Sequence, residues 1–166
     1  MIDLISSALA HRPSIEHTLM ESAKLWARRS TCSRSEVGVV LASEDNRILA
    51  TGYNGAPAGL PHCDHECDCD EQGESYESHR ANCRKWKPCL VAVHGEANAI
   101  AWAARNGIRT DGAKLFTTLA PCYACSQLII NAGIGEVYYL MDYRLADGLA
   151  LLDAAGVDVV RYTYDR

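Results

Sequence analysis

The sequence predicts an α/β fold: a mixed five-stranded sheet with helices on its faces, in three layers, forming one domain over residues 1–166. Three observations predict it. Apolar residues recur at helical and strand periods in the order α-β-β-α-β-α-β-α-β. A polar turn, Ser43-Glu44-Asp45-Asn46, joins the first two strands as a hairpin. With 166 residues, 48% of them hydrophobic, the chain can bury one substantial core, and no linker or repeat divides it.

Each element has its own warrant. Ser14 can cap a first helix reaching to about residue 29, with Ile15, Leu19, Ala23 and Trp26 near one stripe and Glu16, Glu21 and Lys24 facing water. Residues 37–41 read as a buried strand and 47–53 as its hairpin partner. The alanine-rich stretch 96–106 favours helix, and Gly107 ends it. Residues 113–119 form the third strand, 122–131 a helix stopped by Gly133, and 136–141 the fourth strand. A last helix over 146–155 precedes an edge strand carrying Val157, Val159, Arg161, Tyr162 and Tyr164.

Composition narrows the function classes. A formal charge of -5, from 16 basic and 21 acidic residues, lays no electrostatic footprint for a polynucleotide. One phosphate needs only one or two local cations, so a nucleotide stays open. No run approaches about 18 apolar residues, and the start MIDLISSALAHRPS has no signal-peptide pattern, so the expectation is a soluble cytoplasmic protein without a membrane span. The 8 cysteines cluster with histidines and carboxylates, which fits reduced, partly metal-bound thiols better than a disulfide scaffold.

Two stretches between the regular elements stand out. Residues 52–59, GYNGAPAG, form a shaped loop at a strand end; it reads as a tight turn or as part of a small-molecule pocket offering backbone groups and the Asn54 amide. Residues 62–89 carry His62, Cys63, His65, Cys67, Cys69, His79, Cys83 and Cys89 with no helix or strand period, as an insertion at about 60–90. A second, structural zinc could order it; the alternative is a loosely ordered, acid-rich lid. Cys32 is a further candidate ligand.

The chemistry is concentrated in His94-Gly95-Glu96 and Pro121-Cys122-Tyr123-Ala124-Cys125. Cys122 and Cys125 are spaced to share one helix face, and an opening turn favours thiolate over thiol. With His94 they make three zinc ligands and leave a fourth position for water, which the metal makes easier to deprotonate. An HxE segment followed by PCxxC is the zinc-deaminase pattern, in which the carboxylate moves protons and is not a ligand. Glu96 is therefore the proton shuttle, serving attack by the resulting hydroxide at C4 of a cytosine ring, protonation of N3, and departure of ammonia. A purely structural knuckle would need four ligands and no such carboxylate.

On these residues the chain resembles the deoxycytidylate (dCMP) deaminase family, within the zinc-dependent cytidine deaminase superfamily, over about residues 14 to 162. The resemblance rests on TCSR at 31–34 with Val37-Gly38, GYNGAPAGLPHC at 52–63, HGEANAI at 94–100 and TLAPCYAC at 118–125. It implies a cytidine deaminase-like α-β-α sandwich and conversion of dCMP to dUMP, supplying thymidylate synthesis. It implies that Asn54 contacts the deoxyribose, that Ala120 lines the base pocket, that Ser33 or Arg34 holds the phosphate, and that Tyr143 lies near the substrate. Arg105 matches a position tied to subunit contacts and active-site regulation. For the structural zinc, Cys32, Cys63, Cys83 and Cys89 are favoured, with His62, His65, His79, Cys67 and Cys69 as substitutes. The family also implies a homohexamer, activation by dCTP, inhibition by dTTP, and Mg2+ accompanying the triphosphate.

One position departs from the family pattern: Gly95 stands where alanine is usual. Either the missing methyl on the pocket floor admits a 5-substituted dCMP, 5-methyl or 5-hydroxymethyl, as an alternative substrate to dCMP, or the glycine is drift. Free cytidine or deoxycytidine is another alternative substrate. A zinc-stabilised assembly module is the non-enzyme alternative, and Glu96 weighs against it.

Overall fold

The computed structural model describes residues 12–32, 35–63, 89 and 91–164. Helix α1 (Ile15–Ala27) precedes the strands β1 (Gly38–Ala42) and β2 (Ile48–Tyr53). Helix α2 (Gly95–Arg105), strand β3 (Lys114–Leu119), helix α3 (Tyr123–Asn131), strand β4 (Glu136–Met141), helix α4 (Asp147–Ala154) and strand β5 (Asp158–Arg161) follow. The strands form one sheet in the order β2-β1-β3-β4-β5. β1 is antiparallel to both β2 and β3, whereas β3-β4 and β4-β5 are parallel, so the sheet is mixed.

Strand alternation sorts the core into two layers. Val39, Leu41, Leu115 and Val137 face one side, with Ala99 and Ala103 of α2, Ile129 of α3 and Leu152 of α4. Val40, Ala42 and Phe116 face the other, under Leu19, Met20 and Ala23 of α1. The Phe116 ring stacks on Tyr138 with centroids 4.5 Å apart. The result is a three-layer sandwich, with α1 on one face and α2, α3 and α4 on the other.

Ser14 caps α1 as its chemistry predicts: the hydroxyl oxygen accepts from the His17 N–H at 3.1 Å. The buried stripe differs from the expected one. It runs through Leu19, Met20, Ala23 and Ala27, while Ile15 and Trp26 sit at its exposed margin. The cause is Gly38, where a Cβ would run into the Ala23 carbonyl oxygen and the Ala27 amide nitrogen. Backbone-to-backbone approach there rotates the small residues of α1 onto β1 and carries Trp26 outward, to stack on Tyr53 at 6.3 Å.

Strand polarity brings one edge of the sheet together. The ends of β2, β3 and β4 and the start of β1 coincide, since Gly38 pairs with Tyr53 and Leu119 with Met141. Thr118 Oγ1 accepts from the Gly38 N–H at 3.1 Å across that edge. The helices α2 and α3 begin there too, their far ends closed by Gly107 and Gly133 at φ +66 and +70. Loops outside the carboxyl ends of parallel strands are where α/β sheets gather ligands. Among the described residues no helix is long and apolar enough to cross a membrane.

Candidate metal and active site

Both segments expected to bind zinc begin at helix N-caps. His94 caps α2 and Cys122 caps α3, and neither side chain makes a capping hydrogen bond. Ser, Thr, Asp and Asn normally fill that position because they satisfy a free N–H. Histidine and cysteine there leave the donor atoms aimed elsewhere. Cys122 Sγ and Cys125 Sγ each lie 3.4 Å from His94 Nδ1. All three donor atoms fall within 4.8 Å of one another. Zinc bound tetrahedrally at about 2.0 Å to nitrogen and 2.3 Å to sulfur sets its ligands about 3.5–3.8 Å apart, so this donor set fits the ion.

The electrostatics suit the fit. The Cys125 thiol and the His94 ring hold the Cys122 thiol down at about 4 against the cost of burial. Cys125 moves up, through its hydrogen bond with Cys122 and its burial. His94 moves up because the Cys122 sulfur accepts from its ring. Cys122 is thus the ready thiolate of the set.

Glu96, in the first turn of α2, is only 4% exposed. Burial raises its pKa; its own backbone N–H, the charge on His94 and a hydrogen bond with Cys125 work against that rise. The carboxyl consequently lies beside the metal ligands with an increased tendency to hold a proton.

The other expected site residues divide. Asn54 is buried, and its carboxamide is engaged at both ends: Oδ1 accepts from Val37 N–H at 2.8 Å and Nδ2 donates to the Ser35 carbonyl at 2.6 Å. It braces the segment leading into β1. Ala120 is buried at the end of β3, its N–H donating to the Met141 carbonyl at 2.8 Å. Tyr143, half-buried just past β4, shares that edge, with the Arg144 guanidinium carbon 5.7 Å from its ring centroid. Arg105 does not join them: it is exposed at the far end of α2, roughly 13 Å along the axis from Glu96. Ser33 and Arg34 lie outside the described residues.

Gly95 corrects an expectation. A Cβ on it would point at Val39 Cγ2, 3.0 Å away, and at Tyr53 Cα and the Val37 carbonyl oxygen, each 3.4 Å away. That direction leads into the sheet, because residue 95 lies on the helix face packed against β1 and β2. The missing methyl therefore enlarges no pocket floor, and the stated reason for a 5-substituted base falls away.

A second cluster gathers three segments. The Sγ atoms of Cys32, Cys63 and Cys89 lie within 4.8 Å of one another, and Cys32 bridges to Cys63 in a parallel β-bridge. Burial, then Cys89 and Cys32, push the Cys63 thiol up to about 12. Against the cost of burial, the Ala92 and Val91 N–H groups hold Cys89 down. Three converging thiols are compatible with zinc. Of the remaining candidates, Cys83, His65, His79, Cys67 and Cys69 lie outside the described residues, and His62 is exposed outside the cluster.

Some contacts escaped sequence reasoning. A Cβ on Gly52 would strike the Gly95 carbonyl oxygen, and one on Gly148 the Pro121 carbonyl oxygen. The only sequence signal is a glycine interrupting a strand or a helix. Asn98 Nδ2 donates to the Tyr53 carbonyl at 2.8 Å, a role no local pattern announces.

Residues 13–141 match the model of the cytidine and deoxycytidylate deaminase zinc-binding region. The chain belongs to this family. ComE operon protein 2 of Bacillus subtilis is 37% identical over 155 residues, covering 93% of this chain and 74% of that protein. The deoxycytidylate deaminase of Mycobacterium phage D29 is 41% identical over 133 residues, covering 77% of this chain and 95% of the phage protein. The crystal structure of dCMP deaminase from cyanophage S-TIM5, in complex with dCMP and dUMP, superposes with a TM-score of 0.74 at 31% identity. It covers 90% of this chain and 97% of that one. The chain spans about half the length of the fungal deoxycytidylate deaminases it matches.

Proposed function

We propose that this deaminase-family chain hydrolyses dCMP to dUMP and ammonia. The observation that carries the reading is a buried Glu96 carboxyl against a donor set, His94, Cys122 and Cys125, that fills three of four tetrahedral positions. Kinship supports the substrate: the D29 relative is named a deoxycytidylate deaminase, and the S-TIM5 enzyme was crystallised with dCMP and dUMP.

In this reading His94, Cys122 and Cys125 hold zinc, which when bound supplies a Lewis acid that makes water readily deprotonated. Glu96 handles the protons. Overall a C4–O bond forms and the C4–N bond breaks. Of the two protons of water, Glu96 delivers one to ring N3 and one to the departing amine. Its raised pKa suits the donor half of that cycle. Asn54, Ala120 and Tyr143 line the substrate at the shared strand edge, and Ser33 and Arg34 take the 5′-phosphate. Arg105, remote within one chain, acts at a subunit boundary.

Cys32, Cys63 and Cys89, completed by Cys83, hold a structural zinc, and residues 1–166 act as a single domain. The family resemblance extends the reading to a cytoplasmic homohexamer supplying dUMP for thymidylate synthesis, activated by dCTP and inhibited by dTTP with Mg2+.

The test is ammonia release from dCMP, 5-methyl-dCMP, CMP, deoxycytidine and dCTP by zinc-loaded protein. Turnover of dCMP is expected, and no turnover of any monophosphate overturns the assignment. Glu96→Ala should abolish turnover while zinc content and the circular-dichroism spectrum stay unchanged. Retained turnover in that variant would remove Glu96 from the proton path.

A further inference from the structure

Helix α2 carries both His94 and Glu96, so its position along β2 sets where the metal ligand and the proton carrier stand relative to the loop at 53–56. At this end the contact between the two elements is made by glycines. Gly52 meets the Gly95 backbone directly, and Gly95 presents only hydrogen toward Tyr53 Cα and Val39. Around that contact Ala99 and Ala103 share the core with Ala50 and Leu41, and such small side chains fix a helix along a strand less sharply than large interdigitating ones do. Asn98 supplies the missing registration. One turn beyond His94, its Nδ2 donates to the Tyr53 carbonyl at 2.8 Å. Among the described residues this is the one side-chain hydrogen bond between α2 and β2.

The next residue extends the link. The Asn54 carboxamide holds the Val37 N–H and the Ser35 carbonyl, and the Asn54 carbonyl accepts from Thr31 N–H at 3.2 Å and Ser30 Oγ at 2.9 Å. Two asparagines in series thus connect the helix bearing Glu96 to the 30–37 segment.

We propose that Asn98 is a positioning residue for the deaminase site: through the Tyr53 carbonyl it fixes the register of His94 and Glu96 against the loop that Asn54 braces. This rests on the dCMP reading for its kinetic test but not for its spectroscopic one. Misplacing a reacting group by about 1 Å can cost 10²-fold in rate, so a helix freed by a fraction of that loses about tenfold or more. The loss falls on kcat, because Asn54 and the segment it braces keep their own bonds.

The experiment compares Asn98→Ala and Asn98→Asp with the parent protein. Aspartate keeps the size of asparagine but sets a carboxylate oxygen against the Tyr53 carbonyl, while alanine only removes the donor. Expected is a kcat for dCMP lowered about tenfold in Asn98→Ala and further in Asn98→Asp, with KM within about twofold and zinc content retained. The cobalt(II)-substituted proteins give a readout independent of turnover: the d–d absorption envelope of the His94 site should shift most in Asn98→Asp. Were Asn98 a mere filler, the size-matched aspartate would behave better than alanine in both assays. That ordering, or a cobalt spectrum and kcat unchanged in Asn98→Asp, overturns the proposal. If the parent protein proves inactive on dCMP, the substrate reading fails while the cobalt comparison still decides the role of Asn98. Should Asn98→Asp fail to fold, Asn98→Ala carries the test: a kcat and a cobalt spectrum both equal to the parent's overturn it.

Discussion

Gly148→Ala isolates how tightly α4 is pressed against the metal-ligand turn. Gly148 lies in the first turn of α4, and a Cβ on it would meet the Pro121 carbonyl oxygen, with the Cys122 carbonyl carbon and Ser126 Oγ each 3.0 Å away. Two effects of opposite sign compete. Alanine gains about 1 kcal/mol of helix propensity over glycine. Overpacking costs about 1–3 kcal/mol, and the upper end applies because two of the three neighbours are backbone atoms that cannot rotate away. The net expectation is a loss of about 2 kcal/mol, the steric cost winning. For a chain of this length that lowers Tm by about 4–8 °C. The displaced peptide carries Cys122, so zinc should also pass more readily to a competing chelator. Thermal unfolding followed by circular dichroism, with and without zinc, measures the first effect, and transfer to a chromogenic chelator the second. An unchanged or raised Tm would show that α4 can shift without cost and would refute the argument.

Gly95→Ala should be mild, costing under about 1 kcal/mol, because only the Val39 side chain at 3.0 Å must yield. The ratio of kcat/KM values for dCMP and 5-methyl-dCMP should not move, since the new methyl points into the sheet. Cys63→Ser should lower the zinc count per chain by about one equivalent on metal analysis, as it removes a member of the second thiol cluster but leaves His94, Cys122 and Cys125 intact. Tyr164→Phe deletes the hydroxyl that donates to Glu21 at 2.7 Å but keeps the ring against His17 and Tyr162. On exposed groups this should cost under about 1 kcal/mol in urea unfolding and leave turnover unchanged.

The sequence was most informative where function depends on local spacing. His94, Glu96, Cys122 and Cys125 sit at the starts of two helices, so short-range geometry alone brings the thiols together and sets Glu96 beside the histidine. The succession of elements along the chain and the hairpin followed equally from period and turn chemistry. What escaped was whatever depends on how elements cross. The stripe of α1 is turned by its contact with Gly38, so Trp26 lies outside and Ala27 inside, a choice helical periodicity cannot make. Gly95 was misread for the same reason: the direction of an absent side chain is set by the neighbour the helix packs on. Asn54, which the family resemblance puts at the sugar, also engages its carboxamide with Ser35 and Val37, a tertiary contact with no signature along the chain. Cys32, Cys63 and Cys89 come from three separate segments, so their meeting is topological.

That meeting has a consequence for chain length. Cys63 and Cys89 begin and end a long polar stretch, and their sulfur atoms lie within 4.8 Å of each other. The two anchors of that stretch therefore sit at one point of the fold. Closing such a loop costs entropy that grows only with the logarithm of its length, about 0.6 kcal/mol for each doubling. The distance between the anchors, by contrast, is fixed by Val93 pairing with Gly55 and by the Cys32–Cys63 bridge. An insertion between Cys63 and Cys89 is thus expected to be tolerated only where it leaves these three thiols, and the Cys83 proposed to join them, able to meet.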